Sequence, residues 1–404
     1  MIDDLRTFGR LLSERRHFRR LWVSNMVSLL GDWLSYVAVS LVAVDRGDSA
    51  VTVGMVLVGH TLPMALLAPI SGPLADRFDR RRLMIAAQLG AGLLTLCMWG
   101  AVRGDALGWM QVFLLLRVGV SGLGLTARFA AVPQLVERHE LHAANALLGL
   151  TWSVLFAAGV AAGGVLAAAI GPGGAILGDA ATFAIAALIV AGLPALPPPP
   201  PENAADPAAP RDLFAAWRYA RPRPKLLAAL LAKTPAGIAD AAGWVTLNLV
   251  AGPRLAGSTA LGIGVMHALR AIGTGVGPLL PRTWIRREAN LATPLAFIGL
   301  GAFLLSDSPW VFLPALVVWG MGTGHNWVSS TAELQAETPG DILGRMTALN
   351  VMTLTFAQSA LAVGAGLVID ATGHATWGGW VGLALAFVGW AALMAVRGRG
   401  AAAG

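Results

Sequence analysis

The sequence predicts an all-α membrane protein: twelve transmembrane helices in two six-helix halves that repeat in parallel, with both termini cytoplasmic. Three observations predict it. The 404-residue chain is 56% hydrophobic and only 13% charged, with a mean hydropathy of +0.67, which is too apolar for soluble domains. Apolar runs able to cross a hydrocarbon core of ~30 Å, each about 20 helical residues long, recur twelve times. Every heavily basic connection falls at one parity of those runs, the pattern left by positive charge retained on the cytoplasmic side. The same placement explains a net charge of +7 without a nucleic-acid partner.

Residues 1–20 form a basic cytoplasmic N-terminus. Ile2, Leu5, Phe8 and Leu12 follow helical spacing among arginines, compatible either with a helix on the inner leaflet or with a basic flank that orients the first span. No cleavable signal is evident, since the first apolar run is too long for one. The expected spans are 21–44, 51–74, 83–102, 109–133, 144–170 and 174–193, then 226–251, 258–280, 291–305, 310–333, 346–369 and 377–396, the ninth being short. They divide into an N-terminal half (21–193) and a C-terminal half (226–396), followed by a cytoplasmic tail (397–404) with Arg397 and Arg399. Between the halves, residues 194–225 carry Pro197 to Pro201 and further prolines, an extended and semi-rigid cytoplasmic linker. Cys97, the single cysteine, excludes an intrachain disulfide.

The halves read as copies. Asp32 with Leu41-Val42-Ala43 matches Asp240 with Leu249-Val250-Ala251 at an offset of 208, and Gly72-Pro73-Leu74 with Arg77 matches Gly277-Pro278-Leu279 with Arg282 at 205. Leu135 to Asn145 likewise resembles Leu334 to Arg345. Three matches in one order and one direction indicate a parallel repeat.

The connection after the second span reads Gly72-Pro73-Leu74-Ala75-Asp76-Arg77-Phe78-Asp79-Arg80-Arg81-Arg82. Its Gly-x-x-x-Asp-Arg-x-x-Arg-Arg spacing resembles the signature of the major facilitator superfamily of transporters. With Gly31-Asp32-Trp33 and with Leu334 to Arg345, it is most similar to the branch that contains macrolide exporters and the enterobactin exporter. Asp79 departs from the glycine usual in the wider superfamily, and in the second copy Pro281 stands where the first has Asp76. The resemblance implies that Gly72, Asp76, Arg77, Arg80, Arg81 and Arg82 latch the halves together on the cytoplasmic side. Physically, Asp76 can cap a neighbouring helix and the arginines can pair with acids such as Glu137. Topology signalling alone also accounts for the arginines, though not for the acid among them.

Several charges lie inside spans. Arg117 in the fourth costs at least ~2.5 kcal/mol to insert unless it meets water or an acid, although it could also snorkel to the surface. It resembles the arginine that the family's antiporters use in proton coupling. Asp32 and Asp240, at equivalent places in the first and seventh spans, are the most deeply placed acids, and a desolvated carboxylate can load and release a proton. Asp179, Glu333 and Asp370 lie near span ends, where water or helix termini can satisfy them, and Arg128 and Arg270 are intermediate cases. Gly159, Gly163 and Gly164 resemble the antiporter motif Gly-Pro-x-x-Gly-Gly with Val160 for proline, and also fit ordinary small-residue packing. His60, Gln88, His267, His325, Asn326, Trp327 and Gln358 are candidates to face a cavity, and Met26, Met55, Met64, Met266 and Met321 suit an adaptable apolar passage.

No phosphate-binding loop, metal-ligand cluster or nucleophile with a base is present, so a membrane enzyme or primary pump has no support and no cofactor is expected. The expectation is a secondary transporter of the inner membrane, monomeric, with a proton gradient as energy source. It would exchange protons for a drug-like or siderophore-like small molecule. The alternatives are a metabolite importer or facilitator of the same fold, and a non-transporting receptor or assembly protein.

Overall fold

The structure is a computed structural model that describes residues 2–197, 213–255, 258–279, 292–338 and 342–402. Residues 198–212 of the linker expected at 194–225, and the connection carrying Pro281, Arg282 and Arg287, lie outside the described residues. Among the described residues all regular structure is helical: α1 Ile2–Glu14, α2 Arg16–Arg46, α3 Ala50–Arg77, α4 Arg80–Arg103, α5 Leu107–Ala131, α6 Leu141–Ala191, α7 Leu213–Ala220, α8 Pro224–Leu231, α9 Thr234–Arg254, α10 Thr259–Val276, α11 Ala292–Leu305, α12 Pro309–Glu337, α13 Leu343–Thr372 and α14 Ala375–Ala402.

The sequence sets several of these boundaries locally. The Ser49 hydroxyl accepts from the Thr52 N–H at the start of α3, and the Asp79 carboxylate accepts from the Arg82 N–H at the start of α4. Gly373, at φ +71°, ends α13 in the left-handed conformation that costs glycine least. Inside the 51-residue α6, Gly171 alone is non-helical, at φ +75°, and Pro172 follows it. That break separates the expected fifth and sixth spans, which the helix otherwise joins without a loop. Nine described segments have the length and composition to cross a membrane, one of them containing both arms of α6. The 14-residue α11 is the apolar remainder of the short ninth span. At the N-terminus α1 does not stay apart as a flank: Leu11 is buried against Phe18, Leu21 and Val190.

Packing repeats as the sequence does. In the first block α2 packs on α6, α3 and α4 both pack on α5, and α4 packs on α6. In the second, α9 packs on α13 and α14, α10 and α11 both pack on α12, and α11 packs on α14. The blocks touch chiefly through α3 against α13 and α6 against α10, two pairs that exchange under the repeat.

These crossings depend on small residues. A Cβ at Gly54 of α3 would lie 2.5 Å from the Ala362 carbonyl oxygen of α13, and one at Gly164 of α6 would lie 2.8 Å from the Ala260 carbonyl oxygen of α10. At the end of the α3–α13 crossing the Asp370 carboxylate accepts from the Ala50 N–H at 2.6 Å and the Val51 N–H at 3.3 Å. A carboxylate on the first amides of α3 meets the positive end of that helix. Asp370 is therefore satisfied by a helix terminus as expected, but the helix belongs to the other block. All of these contacts lie at the end of the bundle opposite the arginine-rich turn 77–82. They close that end, so Gly54→Leu should force it apart. With Cys97 replaced by serine and a reporter cysteine at Leu57, labelling by an impermeant maleimide from the closed end should rise several-fold, and unchanged labelling would show that the crossing is not the seal.

Candidate functional site

A cavity of ≈ 900 Å³ lies between the two blocks. It runs from the level of Asp32 and Asp240 to Leu21, Met84, Asn145 and Pro278 near the arginine-rich end. Its floor is aromatic: Tyr36 of α2 packs edge-on against His60, Trp244 and His267, with ring centroids 5.0, 5.3 and 5.6 Å away. This contact joins the blocks below the cavity, where Tyr36 and His267 are buried.

In the first block the site centres on Arg117, which is 1% exposed. One terminal nitrogen of its guanidinium lies 3.0 Å from the Asp32 carboxylate and donates to the Asp179 carboxylate at 2.6 Å. The same nitrogen reaches the Ser35 hydroxyl at 3.4 Å, and the guanidinium lies 5.5 Å from the centre of the Phe183 ring. Arg117 therefore faces acids and does not snorkel. Asp179 is fully buried, while the Asp32 side chain keeps 31% of its surface and lines the cavity. Gly31 makes the arrangement possible: a Cβ there would sit 2.0 Å from the Thr182 hydroxyl and 2.5 Å from the Asp179 carboxylate. Two carboxylates share one guanidinium, so the cluster has one acid beyond neutrality.

The second block solves the same problem one to one. The Arg270 guanidinium donates to both oxygens of Asp240, and the Thr323 hydroxyl donates to one of them at 3.3 Å. The guanidinium lies between the rings of Trp244 and Trp319, 4.8 Å from each centroid. Asp240 thus has its own counter-ion and carries no surplus charge.

Nearer the arginine-rich end the cavity holds two further cations. Arg128 of α5 donates to the side-chain carbonyl of Asn25 on α2, and Lys233, 6% exposed, has its ammonium 4.4 Å from the centre of the Trp327 ring.

His60, Gln88, Asn326, Trp327, Gln358 and Met64 line the cavity as expected; Met26, Met55, Met266 and Met321 are not among its lining, and Met84, which is not one of the expected methionines, is. His267 and His325 do not; they bond to Asn248 and to the Gly277 carbonyl inside the helix packing. Gly159 and Gly163 face Trp33 and Leu34 of α2, and Gly164 faces α10, so the glycine stripe joins two interfaces. Val160 is buried in continuous helix, and the bend of α6 falls at Gly171 instead.

The contacts of Gly72 and of the Asp76 side chain, expected in the latch, lie outside the described residues. Asp79, Arg80 and Arg81 of the turn are tied to the end of α6 and to Leu196 beyond it. Asp79 accepts from the Leu196 N–H at 2.7 Å, the Arg80 N–H donates to the Leu196 carbonyl at 3.0 Å, and Arg81 donates to the Ala191 carbonyl. Glu137, expected to face these arginines, pairs with Arg15, which also holds Glu140 at 2.9 Å.

Asp179 and Arg270 are the functional candidates that spacing did not bring forward. Asp179 lies eight residues beyond the Gly171 break, about 12 Å into its arm at 1.5 Å per residue. The Gly171-Pro172 pair was the available signal. Breaking the cluster from its centre should cost most. Arg117→Ala leaves two carboxylates without a counter-ion and should destabilise the purified protein by about 3–5 kcal/mol. Asp32→Asn keeps the Arg117–Asp179 pair and should cost about 1 kcal/mol. Thermal unfolding in one detergent compares them; equal losses would contradict the shared-guanidinium arrangement.

The profile of the Major Facilitator Superfamily matches residues 21–363. Enterobactin exporters EntS of Citrobacter koseri and of Escherichia coli O127:H6 are each 29% identical over 358 residues, covering 84% of this chain and 82% of the relative. The nucleoside transporter NupG superposes with a TM-score of 0.72 at 13% identity, covering 94% of this chain and 98% of that one. A bacterial homologue of the iron transporter ferroportin, in an inward-facing state, gives 0.70 at 16% identity, with coverage of 94% and 98%. With the family profile matched across most of its length and the fold shared with solved transporters, this chain belongs to the Major Facilitator Superfamily and is a multi-pass transporter of the inner membrane.

Proposed function

We propose that the protein exports a small organic molecule across the inner membrane in exchange for protons, by alternating access of two six-helix halves. The observation that carries the reading is the cluster at the cavity floor, where Arg117 is shared by Asp32 and Asp179. A surplus carboxylate that reaches the cavity is a place to take up and release a proton, and Asp32 is the member that reaches it. Asp240, matched one to one by Arg270, has no such surplus and serves to orient the second half.

Twelve spans follow when both arms of α6, the short α11 and the long α12 are counted with the other apolar helices. Both termini and the arginine-rich turn then lie in the cytoplasm, and the cavity opens inward. The α3–α13 and α6–α10 crossings become the outer gate, and the turn 72–82 the inner latch, engaged only when the inner side closes. The relatives named as enterobactin exporters favour export of a siderophore-like compound over uptake of a metabolite.

The test is accumulation in inside-out vesicles under an imposed proton gradient, across a panel of siderophores, macrolides and dyes. A substrate should accumulate only while the vesicle interior is acidic. Asp32→Asn should lower that gradient-driven accumulation at least tenfold while gradient-free counterflow persists. Asp240→Asn should impair both together. Gradient-driven accumulation undiminished in Asp32→Asn would remove the coupling assignment.

A further inference from the structure

The cavity has an upper tier of charge beyond its two close acid–arginine clusters. Pairing the charges at its wall gives Arg117 to Asp32 and Asp179, and Arg270 to Asp240. Arg128 and Lys233 remain. Among the described residues neither has a carboxylate within ion-pair distance, although Asp32 attracts Arg128 over a longer range, and the Lys233 ammonium has no hydrogen-bond acceptor. A cation held away from bulk water without a counter-ion is costly, and an anion relieves that cost.

The two cations are related by the internal repeat. The offset of 208 that aligns Asp32 with Asp240 also aligns Asn25 with Lys233, and the offset of 199 between Leu135 and Leu334 aligns Arg128 with Trp327. In one half the cation is on α5 and its partner on α2; in the other the cation is Lys233, the residue capping the start of α9, and its partner is on α12. Equivalent helix pairs thus each present one positive charge to the cavity, with the residue on the carrier helix exchanged. Asn25 precedes Asp32 by seven residues, as Lys233 precedes Asp240, so the backbones of Asn25 and Lys233 lie about 10 Å nearer the arginine-rich end than those of the acids. The wall around them is aromatic and open to the cavity: Phe129 follows Arg128, Trp152 stands against Trp33, and Trp327 lies beneath Lys233.

We propose that Arg128 and Lys233 form an anion-binding tier that holds the acidic oxygen of a substrate with an aromatic body, such as a carboxylate or an ionised phenol. This rests on the reading of the cavity as the transport site and gives that substrate its charge. The anion is drawn by one cation from each half, and its apolar body lies against the surrounding rings.

Binding without a gradient tests this separately from transport. The protein is placed in phosphatidylcholine nanodiscs, and equilibrium binding is measured for radiolabelled 1-naphthoate and for 1-naphthamide, its uncharged counterpart of nearly the same shape. The wild type should bind naphthoate at least tenfold more tightly, with the difference shrinking as salt rises. Arg128→Gln and Lys233→Gln should each weaken naphthoate about tenfold and leave naphthamide unchanged. Arg128→Lys and Lys233→Arg should restore most of the preference, and thermal unfolding shows that each variant is folded. No naphthoate binding by the wild type, equal affinity for the two probes, or a preference that survives both glutamine variants would overturn the proposal. Since no proton gradient is present, any of these results leaves the proton-coupling reading standing.

Discussion

A guanidinium shut away from water must be neutralised by whatever the fold brings to it, and the first half is built around that demand. Arg117 on α5 takes Asp32 from α2 and Asp179 from the second arm of α6, so one residue ties three helices at the cavity floor. The approach of α2 to α6 needs Gly31, because any larger residue would displace Thr182 or Asp179. Removing either carboxylate leaves a pair, whereas removing the arginine leaves two buried like charges, and that asymmetry makes Arg117 the keystone. A site with more acid than base is also one whose charge can change without collapse.

The second half keeps the architecture and changes the chemistry. Its helices repeat the packing of the first, yet Asp240 finds a private partner in Arg270, clamped between two tryptophans. The repeat fixes where side chains point but not which of two facing positions carries the charge, and the exchange that places one cation on α5 and the other at the start of α9 illustrates this. Duplicated helices can therefore diverge into a half with a shared guanidinium and a half with a one-to-one ion pair without loss of the shared fold.

The two ends of the bundle are held by different physics. At the end with few basic residues, backbones approach through Gly54, Gly164, Gly264 and Gly366, and the Asp370 carboxylate caps α3 across the interface. Such contacts are many, short-ranged and dependent on shape, so they separate together rather than one by one. At the other end the charged turn 77–82 is tied to α6 within its own half, which leaves the cavity mouth free.

How far the sequence reached can be followed residue by residue. Length, hydropathy and the parity of positive charge determined a polytopic helical protein, because the bilayer requires about 20 apolar residues per span and retains arginine on one side. The repeat offsets pointed to two equivalent halves, and the turn after α3 pointed to the family. Asp32, Arg117 and Asp240 stood out because a charge in an apolar run is expensive. Spacing along the chain could not say which acid meets which base, since Arg117 and Asp179 are 62 positions apart and belong to different helices. Nor could it show that α6 breaks without a loop, or that Glu137 belongs to Arg15. The one-dimensional pattern decided where the membrane lies, because hydropathy is a property of each segment by itself. Only the tertiary structure decided the pairing of the buried charges, because pairing depends on how helices distant in sequence are turned toward one another.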